Sequence, residues 1–183
     1  MITFAPDEKC YKMNGNICCK ITAEEIDKRV QRAEELFRMG YNCSQSVVGA
    51  WCDVFGIDFS LAVRLSASFG AGIGRMRETC GAACGMFFLA GAECGTDNPS
   101  DKAAKAENYK NVQFLAAKFK ERNGYLKCGE LLSSASVQRD DSTHVPQERT
   151  AEYYKKRPCV ETVKSGAEIF GRYLLERTCD NHR

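Results

Sequence analysis

Histidine is nearly missing from this chain. The 183 residues hold only two, His144 and His182, which leaves histidine little part in a metal or catalytic site. His144 sits in the polar stretch DDSTHVPQE, where a solvated surface residue is the ordinary reading. A Cys-His dyad would need that stretch to fold over the site. Charge of one sign is lacking too: 26 basic residues face 24 acidic ones, for a net +2, so no excess positive field attracts nucleic acid or anionic lipid. No apolar run approaches the ~18 residues a membrane span needs, and no basic segment leads into an apolar stretch near Met1. These absences predict a soluble, cytoplasmic protein with no nucleic-acid and no membrane partner. Alternating runs of β-branched residues are absent as well, which argues against a sheet and for an all-α fold. The glycines of GAGIG lack the preceding strand and the third glycine of a dinucleotide fingerprint, so they read as a flexible loop. There is no thioredoxin-like CxxC.

What is present is helical periodicity, enough for a single-domain helical bundle of about six or seven helices. TAEE starts the first, with Thr22 and Glu25 at capping-box spacing. Ile26, Val30, Ala33 and Phe37 form its stripe and Gly40 its stop. Asn42 caps a second helix with Cys43, Val47, Trp51 and Val54 on one face. DFSLAVRLSASFG reads as a third. The run from Cys80 to Cys94 is apolar on nearly all sides, as a central helix would be. Asn98 and Pro99 open a long fifth helix with Tyr109, Val112, Ala116 and Phe119 as its stripe. A short helix follows at CGELLSSA, and a last long one starts near Pro158 with Val163, Ala167, Phe170 and Leu174 at helical spacing. Residues 1–20 lie outside the pattern and read as a Cys-containing extension to a domain over 21–183.

Eleven cysteines are many for a reduced compartment, where metal binding or redox chemistry is the expected use of sulfur. Cys52 and Cys94 read as small apolar core residues. Cys43, Cys80, Cys128 and Cys159 are different: each falls in the first turn of a separate helix. Free backbone amides and the positive end of the helix dipole favour a thiolate there. Basic residues precede all four: Arg38; Arg75 and Arg77; Lys127; and Lys155, Lys156 and Arg157. Gly81 and Gly85, just after Cys80, would let a neighbouring backbone approach. The polar stretch Val137 to Arg157 lies between two of these cysteines and is expected to form a mobile cover over the site.

The segments GYNCSQSV, TCGAACG, KCGELL and RPCVETV resemble, in order, those of the C_GCAxxG_C_C family of redox-active proteins, over about Arg32 to Leu174. The N-terminal part of split-Soret cytochromes is distantly similar and is associated with an iron-sulfur cluster. The resemblance implies a redox site, with Cys43, Cys80, Cys128 and Cys159 as metal ligands; around a cofactor held there, Gly81 and Gly85 would admit backbone, and Arg75 and Arg77 would offset the negative charge of four thiolates. Covalent haem is not expected, because CxxCH is absent. Cys84 stands where the family does not normally carry cysteine, and Cys10, Cys18, Cys19 and Cys179 lie outside the match.

Three uses of the sulfur follow. An iron-sulfur cluster on the four cysteines would serve electron transfer or redox sensing. A metal-free thiol-disulfide enzyme would use Cys80 as nucleophile, with Cys84, one helical turn on, or Cys43 as resolving thiol. A structural zinc site would tie four helix starts together, although zinc ligands usually come in closely spaced pairs. Whether the chain is an enzyme is left open, as are a redox partner protein and an oligomer.

Overall fold

A computed structural model describes residues 21–138 and 143–180, with side chains through residue 177. The fold is all-α, with eight helices among the described residues. They are α1 (Ala23–Arg38), α2 (Cys43–Trp51), α3 (Phe59–Ser66), α4 (Gly81–Cys94), α5 (Lys102–Asn123), α6 (Cys128–Ser134), α7 (Ala151–Lys156) and α8 (Cys159–Asp180). The extra helix relative to the sequence reading is α7. It forms because Thr150 accepts a hydrogen bond from the Tyr153 amide at 3.2 Å, a cap hidden inside a polar stretch. The extension over residues 1–20, with Cys10, Cys18 and Cys19, lies outside the described residues.

The centre of the fold is α2, with eight of its nine residues buried, packed against α1, α4 and α8. Its start is tightly specified. The Asn42 side chain accepts from the Ser44 and Gln45 amides, while Gln45 Oε1 accepts from the Asn42 amide, a complete capping box. The buried positions of α4 lie in its first ten residues, up to Ala90, and its last turn reaches the surface. On α8 the predicted stripe of Val163, Ala167, Phe170 and Leu174 is fully buried. Phe170 meets Trp51 edge-on at 5.7 Å.

Two expectations are corrected. The fifth helix begins at Lys102 with Asp101 as its cap, while Asn98 caps only the turn before it, through the Ser100 amide. Its buried residues are Asn111, Leu115 and Phe119, and Tyr109 is exposed. Tyr109 lies two residues from Asn111, about 200° around the helix, and so points away. Polar Asn111 takes the buried position because its amide donates to Cys94 Sγ and its oxygen accepts from Arg177.

GAGIG is also not an open loop. Ala71, Gly72, Ile73, Gly74, Arg75 and Arg77 all have positive φ, between 54° and 75°, so the chain makes a left-handed turn. Each non-glycine residue held this way costs about 1–2 kcal/mol, and such strain persists only where surroundings enforce it. Here the enforcement is backbone pairing. The Glu78 amide donates to Gly72 O at 3.1 Å and the Gly74 amide to Ser68 O at 2.8 Å.

Candidate functional site

The four helix-start cysteines meet beside this turn. Cys43, Cys128 and Cys159 are the first residues of α2, α6 and α8, and Cys80 is the cap position of α4. Two starts are joined by main chain. The amides of Cys128 and Gly129 donate to Glu78 O and Arg77 O at 2.7 and 2.9 Å, and the Cys80 amide donates to Leu126 O at 2.9 Å. These bonds flank an isolated bridge between Thr79 and Lys127. They satisfy helix-start amides that would otherwise be orphaned and bring Cys80 beside Cys128. Asn42 ties a third start to the turn by donating Nδ2–H to Ala67 O at 2.8 Å.

Small residues make the approach feasible. A Cβ on Gly81 would lie 2.9 Å from Phe69 O and 3.2 Å from Cys43 Cβ. A Cβ on Gly72 would lie 2.6 Å from Cys128 Cβ. Gly81 therefore seats the start of α4 against Cys43, and Gly72 seats the left-handed turn against Cys128. Gly85 does the same one turn further along α4, facing Val47 and Ser44 O.

The thiols are all free and are electrostatically coupled. The Cys159 thiol is drawn below its ordinary value, first by Cys43 acting as its hydrogen-bond donor and then by Arg157 and Arg149, against burial. The Cys43 thiol is pushed well up by the same bond, by burial and by the charge of Cys159, with smaller contributions from Cys80 and Cys128. Burial lifts Cys80 to about 12, and the Cys128 charge adds to it. The amides of Ala82 and Ala83 pull the other way with less effect. Burial also raises Cys128 against the bond and charge of Arg77. An easily ionised thiol is thus found at Cys159 alone, and there through Cys43 and two arginines rather than through the helix start. At Cys43, Cys80 and Cys128, loss of water outweighs the helix terminus.

Around the thiols, Arg77 is buried and donates to Cys128. Arg157 donates to Cys159. Arg75 donates Nε–H to Thr143 O at 3.0 Å. Of the stretch 137–157, the described residues from 143 on carry α7 and lie against the end of α1. Arg149 Nη1 donates to Phe37 O and Tyr41 O, both at 2.8 Å, and Tyr154 stacks edge-on against Phe37 at 5.8 Å. Arg149 was not legible as a site residue: ten positions before Cys159, it reaches the thiols only because α7 docks on the end of α1.

The remaining cysteines divide as follows. Cys52 is 2 % exposed and its thiol is raised to about 11, mainly by burial, which agrees with a core residue. Cys84 is buried, and its sulfur bonds Thr79 O at 3.7 Å rather than Cys80. Cys94 departs from the apolar reading. Its sulfur accepts from Asn108 and Asn111 at 3.4 and 3.3 Å.

A family model described as "Putative redox-active protein (C_GCAxxG_C_C)" matches residues 41–173, a span that contains all four converging cysteines. The chain belongs to the C_GCAxxG_C_C family. No curated protein and no solved structure matches it. The family span begins nine residues later than the resemblance read from sequence and ends at the same helix, α8. No helix among the described residues is long and apolar enough to cross a membrane.

Proposed function

We propose that Cys43, Cys80, Cys128 and Cys159 hold an iron-sulfur cluster and that the protein acts in electron transfer or redox sensing. The observation that carries this reading is the arrival of four coupled thiols at one place from four helix starts. When bound, such a cluster supplies one-electron chemistry through thiolate ligation. The chain's own residues fit that donor set. Arg77 and Arg157 donate to two of the sulfurs, Arg149 adds positive charge at Cys159, and the Ala82 and Ala83 amides favour the Cys80 thiolate. Hydrogen bonds and charges of this kind tune a cluster's potential, and burial limits water. A closed zinc site is less well supported, because zinc ligands usually come in closely spaced pairs and these four cysteines stand far apart in sequence; for either metal the thiols would have to draw together, since among the described residues no three His, Cys, Asp or Glu side chains are grouped to hold one ion. Anaerobic purification and reconstitution, followed by iron and sulfide analysis and a visible spectrum, tests the proposal. A brown protein with stoichiometric sulfide supports it, and a colourless, iron-free one overturns it.

The contact between Cys43 and Cys159 favours one second reading, a metal-free dithiol. The Cys159 thiolate would attack a substrate disulfide and release one substrate thiolate. Cys43 would then displace the second as it gives up its proton, leaving a Cys43–Cys159 disulfide and two reduced substrate sulfurs. This pairing differs from the one read from sequence, in which Cys80 attacks and Cys84 or Cys43 resolves; what supports it is that burial pushes the Cys80 thiol up to about 12 and that the Cys84 sulfur bonds Thr79 O. In this case reversible two-electron oxidation survives removal of all iron and is lost in Cys159→Ser.

A further inference from the structure

Beside the thiols lies a cavity of about 260 Å³ lined by Arg75, Arg77, Arg149 and Arg157, with His144 and Asn42 at its wall. No carboxylate is among its described lining residues. Four guanidinium groups around one space make it attractive to negative charge. The oxygen partners of two of them are neutral, and both also favour the ionised form of the Cys159 thiol. Arg149 bonds two carbonyls and lies 4.6 Å from the Phe37 ring centroid. Arg157 bonds the Gln147 side-chain oxygen and lies 4.6 Å from the Tyr153 ring. Aromatic faces and neutral oxygens orient these cations without cancelling them, and one thiol shared between the two offsets them only in part, which leaves charge for a ligand.

We propose that this cavity binds a small oxyanion, with a phosphate or carboxylate group gripped by Arg75, Arg149 and Arg157. Guanidinium pairs with such groups through charge-assisted, often bidentate bonds. The volume admits a small molecule and no folded partner. The left-handed turn acquires a purpose here, since it aims Arg75 and Arg77 from neighbouring strained positions. Because Arg157 and Arg77 also meet Cys159 and Cys128, a bound anion sits one side chain away from the sulfur centre, where a substrate or effector belongs. The site does not depend on whether that centre holds a cluster or a disulfide.

Isothermal titration of the reduced full-length protein at low ionic strength, with inorganic phosphate and separately with succinate, tests this. Saturable one-site binding of either is expected, and which one binds more tightly identifies the head group. Arg157→Gln should weaken binding at least about tenfold. Arg75→Gly should weaken it similarly without lowering the melting temperature, since glycine relieves the positive φ at that position. Arg64→Gln, at an exposed position of α3 that does not line the cavity, should bind as wild type. Asp140 and Asp141, outside the described residues, belong to the same stretch of chain as His144, so an Asp140→Asn/Asp141→Asn variant is included. Three outcomes overturn the proposal: no saturable binding by wild type, binding only after the two aspartates are neutralised, or equal weakening in Arg64→Gln.

Discussion

A cysteine's role here depends on what surrounds its sulfur more than on where it stands in a helix. Cys43, Cys80, Cys128 and Cys159 share the helix-start position, yet only Cys159 has a thiol donor and two arginines that together outweigh burial. Cys80 and Cys84 lie on one helix face, yet Cys84 bonds the chain before α4. The two are therefore expected to differ sharply. After anaerobic reconstitution, Cys80→Ser should lose most bound iron, whereas Cys84→Ser should keep it. Iron analysis with circular dichroism checks this. Equal loss in both, with folding intact, would place Cys84 among the ligands.

At the scale of elements, the site exists because helix starts can approach closely. The contact between α2 and α4 is the test case. A Cβ on Gly85 would lie 2.9 Å from Val47 Cβ and 3.1 Å from Ser44 O, so Gly85→Val should destabilise the protein by about 1–3 kcal/mol. Gly91 is on the same helix with nothing within 4 Å. Gly91→Ala should instead stabilise by about 0.5–1 kcal/mol, through the better helix propensity of alanine. Urea midpoints of the two variants should move in opposite directions. The left-handed turn offers a second check. Ala71 has φ 54°, so Ala71→Gly should raise stability by up to about 1 kcal/mol.

For the whole molecule, buried thiols make the reduced, metal-free protein sensitive to alkali. Burial raises Cys52 to about 11 and Cys80 to about 12, above the value each has in the unfolded chain, so the folded state holds protons that the unfolded state releases. Their contribution is complete below the ordinary cysteine value near 9 and is lost as pH climbs from there through 11 to 12. Unfolding free energy in reductant should therefore fall between pH 8.5 and 10.5, by about 1–3 kcal/mol. Cys52→Ala should flatten that slope without touching the site.

Sequence by itself determined seven of the eight described helices, most of their starts and the four cysteines placed on those starts, because periodicity, caps and stops are local and are written in neighbouring residues; α7, whose cap lies in a polar stretch, and the true start of α5 at Lys102 were not read from it. The family span and its four cysteine segments were legible for the same reason. Only tertiary structure decided which thiol ionises, since burial and the Cys43 bond come from other helices. It decided that Arg149 joins the site, because α7 docks on the end of α1, and that polar Asn111 is buried while Tyr109 is not. It turned GAGIG into a left-handed turn, which is held by carbonyls several residues away and by the start of α6. A local pattern can set the phase of a helix, but ionisation and backbone strain depend on what the rest of the chain presses against each residue.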